Sequence, residues 1–90
     1  MEGFKNIMEE AVVYQLNKIL PTMPNICSCK DCKLDMITYA LNRLRPQYVR
    51  TDTGALFQKL NNSSPQAEVE ILATVISAIN TIGAHPHHQK

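Results

Sequence analysis

Apolar residues recur at helical spacing along four stretches of this 90-residue chain. From Phe4 to Leu20, the positions Phe4, Ile7, Met8, Ala11, Val12, Leu16 and Ile19 fall three and four apart, while Lys5, Glu9 and Asn17 fall elsewhere. That is the pattern of an amphipathic helix. Pro21 and Pro24 end it, because proline lacks the amide hydrogen and pushes its predecessor out of the helical region. A loop from Pro21 to Asp31 follows. A second helix is predicted from near Cys32 to Leu44, with Leu34, Ile37, Leu41 and Leu44 on one face and Met36 and Ala40 beside it. Asp31 and Asp35 near its start and Arg43 and Arg45 near its end suit the helix dipole, and Pro46 stops it. A loop through Gln47 to Thr51 leads to a short third helix, Asp52 to Leu60, with Ala55, Leu56 and Leu60 apolar. Asn61 to Ser64 reads as a turn, and Ser64-Pro65 as a helix start with serine capping and proline in the first turn. The fourth helix runs from Pro65 to about Ile82, with Val69, Leu72, Val75, Ile76 and Ile79 along one face. Ile71, Ala78 and Ile82 widen that stripe beyond the usual cover of one intrachain partner. Gly83 is expected to end it, leaving residues 84–90 as a polar tail and residues 1–3 as a loose start. No alternation long enough for a strand is present, so the expectation is one compact all-α, four-helix domain over residues 1–90.

Composition narrows the class. Nine basic side chains against eight acidic ones leave a formal charge of +1, which disfavours a nucleic-acid-binding domain. Hydrophobic residues at 44% and charged residues at 19% indicate an ordered chain. The uninterrupted apolar runs are short, so no bilayer span is expected. The opening residues lack a charged-then-apolar secretion pattern, so a cytoplasmic location is expected. A domain this small buries little surface and often needs a staple. Disulfides do not suit a reducing compartment, which leaves a metal or a partner subunit.

The chemistry for a metal is concentrated in Cys27-Ser28-Cys29-Lys30-Asp31-Cys32. Three thiols in a loop feeding a helix start suit zinc, which takes thiolates tetrahedrally. Lys30 and the helix N-terminus favour the ionised sulfurs. The dull alternative is three free cysteines in a reducing compartment. A fourth donor is required: His85, His87, His88, Asp31, Asp35, water and a neighbouring subunit are all open. The histidines are also compatible with a mobile tail or a residue of cloning.

A second feature is local charge. Lys30, Lys33, Arg43, Arg45 and Arg50 face two acids, Asp31 and Asp35, between positions 30 and 50, an excess of three. Arginine forks match phosphate oxygens, Tyr48 is able to stack on a base, and the third helix offers free amides near Thr51. The plain alternatives are a solvated helix end and, for Tyr48, a core plug. No phosphate loop, nucleophile elbow or Ser-x-x-Lys pair occurs. Glu9-Glu10 and Glu68/Glu70 read as solvated faces, so an enzyme is not expected.

The run Cys27-x-Cys29-x-x-Cys32-x-x-Asp35, followed by Ala40-Leu41-Asn42-Arg43-Leu44-Arg45-Pro46-Gln47-Tyr48-Val49, resembles the late competence development protein ComFB family. The likeness extends to Asn6…Glu10-x-Val12 and to the closing helix with Pro86-His87-His88. It implies a small helical homodimer that binds zinc through Cys27, Cys29 and Cys32, encoded beside DNA-uptake genes in competent Gram-positive bacteria. His88 stands where relatives often end in Pro-x-His, which makes it the favoured fourth ligand. Some family members elsewhere are receptors for cyclic dinucleotides such as cyclic di-GMP. Carried onto this chain, such a ligand would meet Arg43, Arg45, Tyr48, Arg50 and Thr51. The expected function is therefore a non-enzymatic regulatory or adaptor protein of late competence, a zinc-bound dimer recognising a cyclic dinucleotide (cyclic di-GMP or cyclic di-AMP) or only a competence or signalling protein.

Overall fold

Asn6 decides where the first helix begins. In the computed structural model, which describes residues 3–84, helix α1 spans Ile7–Ile19 instead of starting at Phe4. Asn6 Oδ1 accepts the amide N–H of Met8 at 3.1 Å and that of Gln47 at 2.7 Å. One side chain thus caps α1 and ties it to the connection after the second helix. The residues ahead of α1 are extended: β1 (Lys5–Asn6) pairs antiparallel with β2 (Tyr48–Val49), Lys5 opposite Val49 and Asn6 opposite Tyr48. Two-residue strands leave no alternation to detect, which is why the sequence shows no sign of them. Phe4, expected on the helix face, is exposed with its ring edge-on to Tyr48, centroids 5.9 Å apart. Asn6→Ala removes cap and cross-tie together. The expected cost is about 1–2 kcal/mol, read as a lower denaturant midpoint; an unchanged midpoint would show the tie to be dispensable.

The other boundaries follow local chemistry closely. A 3₁₀ turn at Leu20–Thr22 absorbs Pro21. Helix α2 spans Lys30–Arg43, two residues longer at its start than expected, because the cysteine at 29 caps it. Helix α3 spans Asp52–Asn62, with Thr51 Oγ1 accepting Gly54 N–H at 3.0 Å. Helix α4 spans Pro65–Ala84, with Ser64 Oγ accepting Ala67 N–H at 3.3 Å.

Packing corrects two readings of the helix faces. The core joins Met8, Val12, Leu16 and Leu20 to Cys32, Met36, Ala40 and Leu44 of the second helical segment and to Ile71, Val75, Ala78, Ile79 and Ile82 of α4. The stripe assigned to α4 is rotated: Val69 is exposed, Leu72 and Ile76 are half-buried, and the supposed widening residues Ile71, Ala78 and Ile82 face inward. Two of the three apolar residues assigned to α3 turn outward as well. Ala55 joins Ile7 and Val49 in a small second core, while Leu56, Phe57 and Leu60 are exposed. By length and mean hydropathy alone, 1.4 in its most apolar window, α4 is long and apolar enough to cross a membrane, as the core helix of a soluble protein can also be. Its inner face nevertheless supplies the largest share of the core contributed by any one helix.

Gly83 does not end α4. It lies inside the helix, which continues through Ala84, a residue expected in the tail and the last one the structure describes. A Cβ at position 83 would approach Ile26 Cδ1 to 2.8 Å and Ile26 Cγ2 to 3.3 Å. The glycine is there for close approach between the end of α4 and the loop before α2.

Candidate metal centre

The three cysteines are placed by two adjacent devices. Met23 N–H bonds Leu20 O at 3.0 Å and Ile26 N–H bonds Met23 O at 3.2 Å, so the chain after α1 turns back on itself before reaching Cys27. Cys29 is then the N-cap of α2: its Sγ accepts the Cys32 amide N–H at 3.4 Å, and its carbonyl accepts Lys33 N–H at 3.0 Å. Capping by a sulfur places Cys29 and Cys32 one helical turn apart on the same end of α2. Cys27 is brought in from the loop, and all three Sγ atoms lie within 4.8 Å of one another. Tetrahedral zinc with three thiolates needs sulfurs about 3.8 Å apart, so the group fits with small adjustments.

Burial is graded across the cluster. Cys32 is 1% exposed and belongs to the core, Cys27 is half-buried, and Cys29 is exposed. Burial, reinforced by the neighbouring Cys27 and Cys29 sulfurs, pushes the Cys32 thiol up to about 12. Without a cation the Cys32 thiol resists ionising. A divalent ion reverses that balance by supplying the charge the thiolates need. The positive end of α2 and the Cys32 N–H bond to Cys29 Sγ act in the same direction. The exposed side at Cys29 leaves room for a further donor. His88, favoured for that place, lies outside the described residues, as do His85 and His87. Asp31 is exposed in the first turn of α2 and Asp35 is half-buried one turn on. The donor group that comes together among the described residues is the sulfur triad.

The arginine region is less concentrated. Arg43 stacks its guanidinium 3.5 Å over the ring of Tyr39 and donates to the Tyr39 carbonyl at 3.2 Å. The Tyr39 hydroxyl is held between Ser77 and Thr81 of α4, each 3.4 Å away. Arg43 is thus already engaged by its own helix. Arg45 and Arg50 are exposed on the connection between α2 and α3. Tyr48 is 62% exposed, so it does not plug the core. Thr51 is committed to capping α3 through Oγ1. One feature had no sequence signal: Gly83 rests on Ile26, the residue before Cys27, and so brings the end of α4 to the sulfur loop.

No curated protein matches the chain. Among solved structures, the fold is similar to the late competence protein ComFB from Bacillus subtilis, with a TM-score of 0.79 over 93% of this chain and 94% of that one, at 19% identity. Such identity speaks for the fold alone. The family model described as late competence development protein ComFB matches residues 5–86, nearly the whole length, and on that match the chain belongs to the ComFB family.

Proposed function

We propose that this chain is a non-enzymatic, zinc-stapled homodimer that works in the cytoplasm as a regulatory or adaptor protein of late competence. The observation that carries the metal is the convergence of Cys27, Cys29 and Cys32 Sγ atoms within 4.8 Å at the positive end of α2. Thiolate ligands select zinc over calcium or magnesium, and a site closed by protein donors stabilises structure without offering an open position for catalysis. His88 is the fourth donor in this reading. It follows the end of α4 by four residues, within chain reach of a loop that Gly83 already touches. The outward Leu56, Phe57 and Leu60 of α3 supply apolar surface of the kind a second copy would cover.

Elemental analysis of protein purified without chelator tests the metal. One zinc per chain is expected, falling well below one in Cys27→Ser and in His88→Ala. Full zinc in Cys27→Ser would remove the triad from the site, and full zinc in His88→Ala alone would move the fourth donor elsewhere.

A ligand reading is supported by the exposure of Arg45, Tyr48 and Arg50 along one connection leading into the N-terminus of α3. Paired guanidinium groups and an aromatic face are what a phosphodiester-linked purine dinucleotide requires. Micromolar cyclic di-GMP or cyclic di-AMP is expected to raise the melting temperature of the wild type and to lose that effect in Arg50→Ala. No shift with either nucleotide leaves the protein-adaptor reading, in which the partner is a competence or signalling protein.

A further inference from the structure

A cavity of about 300 Å³ lies between α1, α3 and α4, away from the sulfur triad and from the exposed arginines. Its apolar lining is Ile7, Ala11 and Ile71, with the exposed Tyr14 at the side. That volume is at the lower end for small-molecule pockets. It holds roughly ten times the share of one water.

Gln15 also lines this cavity, and among the described residues it is the one buried polar residue, 8% exposed. Among the described residues none hydrogen-bonds its side-chain amide, although every fully enclosed side-chain polar atom does have a partner. The amide end therefore opens into the cavity. That edge is reached through the open side of the cavity and has no hydrogen-bond partner among the described residues, so its donor and acceptor are available to a molecule entering there. The contrast nearby is instructive. Gln47 and Asn62, the latter also on the cavity wall, pair their amides reciprocally, Nε2 to Oδ1 at 3.0 Å and Nδ2 to Oε1 at 2.9 Å. Gln15 carries the same adjacent donor and acceptor with that edge unused.

The rim fixes the ligand's charge. Glu10 bridges Lys59 at 3.3 Å and also pairs with Lys5, and these contacts, with Lys5 first, hold its carboxyl below the ordinary range. The cation on the cavity wall is thus already neutralised, and Glu68 adds an exposed acid. An anion such as a phosphate finds no free partner there. We infer that this cavity is a binding site for a small neutral molecule with a planar ring and an amide-like edge, a lactam or carboxamide, whose donor and acceptor pair with the Gln15 amide while the ring lies against Ile7, Ala11 and Ile71. The site is independent of the metal and of the arginine connection.

Nicotinamide and uracil are suitable probes, with toluene as an apolar control of similar size. In an amide-detected NMR titration of the full chain, either probe is expected to shift Ala11, Gln15 (with its side-chain NH₂) and Ile71 saturably. Gln15→Leu should weaken nicotinamide or uracil binding at least about tenfold, the worth of a paired amide edge, while toluene binds as well or better. That variant replaces a buried polar group by an apolar one and should not unfold. Ala11→Leu, which fills the cavity, should abolish all three responses. Absence of saturable shifts from both polar probes in the wild type, or equal binding in Gln15→Leu, overturns the inference.

Discussion

On the proposed zinc-bound reading, stripping the metal from the purified protein is expected to lower its melting temperature by roughly 15–30 °C. Ligand linkage at a thousandfold excess over the dissociation constant contributes about 4 kcal/mol, and each kcal/mol moves a domain of this size by about 4–8 °C. The effect would be large because the proposed donor Cys32 is also a core residue, so releasing the ion would leave crowded thiols beside the packed region. Cys29→Ser isolates this contribution. Serine is a better N-cap than cysteine, so α2 keeps its start while the cluster loses one sulfur. Cys29→Ser should therefore melt like the chelated wild type and be insensitive to chelator. A drop in melting temperature of only a few degrees on chelation would mean that the bundle stands without a staple. Protons compete for the same sulfurs, so zinc binding should weaken as the pH falls from about 8 to about 6, measurable by competition with a chromophoric chelator.

The second large effect belongs to Ile79→Ala, with an expected loss of about 2–5 kcal/mol in equilibrium denaturation. Ile79 is 0% exposed on α4 and packs in the cluster shared with α1 and α2. Truncation there opens a cavity bordered by rigid helices that have little freedom to collapse. Val69→Ala on the exposed side of the same helix should change stability by less than about 0.5 kcal/mol. Similar losses from the two variants would mean that the inward and outward faces of α4 are interchanged.

The helix ends written in proline and hydroxyl chemistry were legible in advance: Pro21, Pro46, Thr51-Asp52 and Ser64-Pro65 each stop or start a helix close to where local rules place it. The sulfur cluster was legible too, because its spacing is local. What escaped depends on contacts between distant segments. Asn6 looks like any polar residue on a helix until Gln47 is brought to its side chain. Gly83 carries the same letter whether it ends a helix or admits Ile26. The rotation of α4 was unreadable because eight apolar residues surround most of that helix, and only the position of α1 and α2 selects among them. Gln15 interrupts the apolar stripe of α1 beside Leu16. That interruption was the available sign of the cavity, and it passes for an ordinary polar position without the neighbouring helices.

The seat of Gly83 on Ile26 couples the last described turn of α4 to the loop that carries the proposed metal ligands. A bulky residue at 83 would have to displace the Ile26 side chain next to Cys27, and on the zinc-bound reading would be expected to loosen the metal without altering any ligand. Heritable variation at a helix end 56 positions downstream of the first thiol would then surface as a metal-starvation phenotype, curable by supplementing the growth medium.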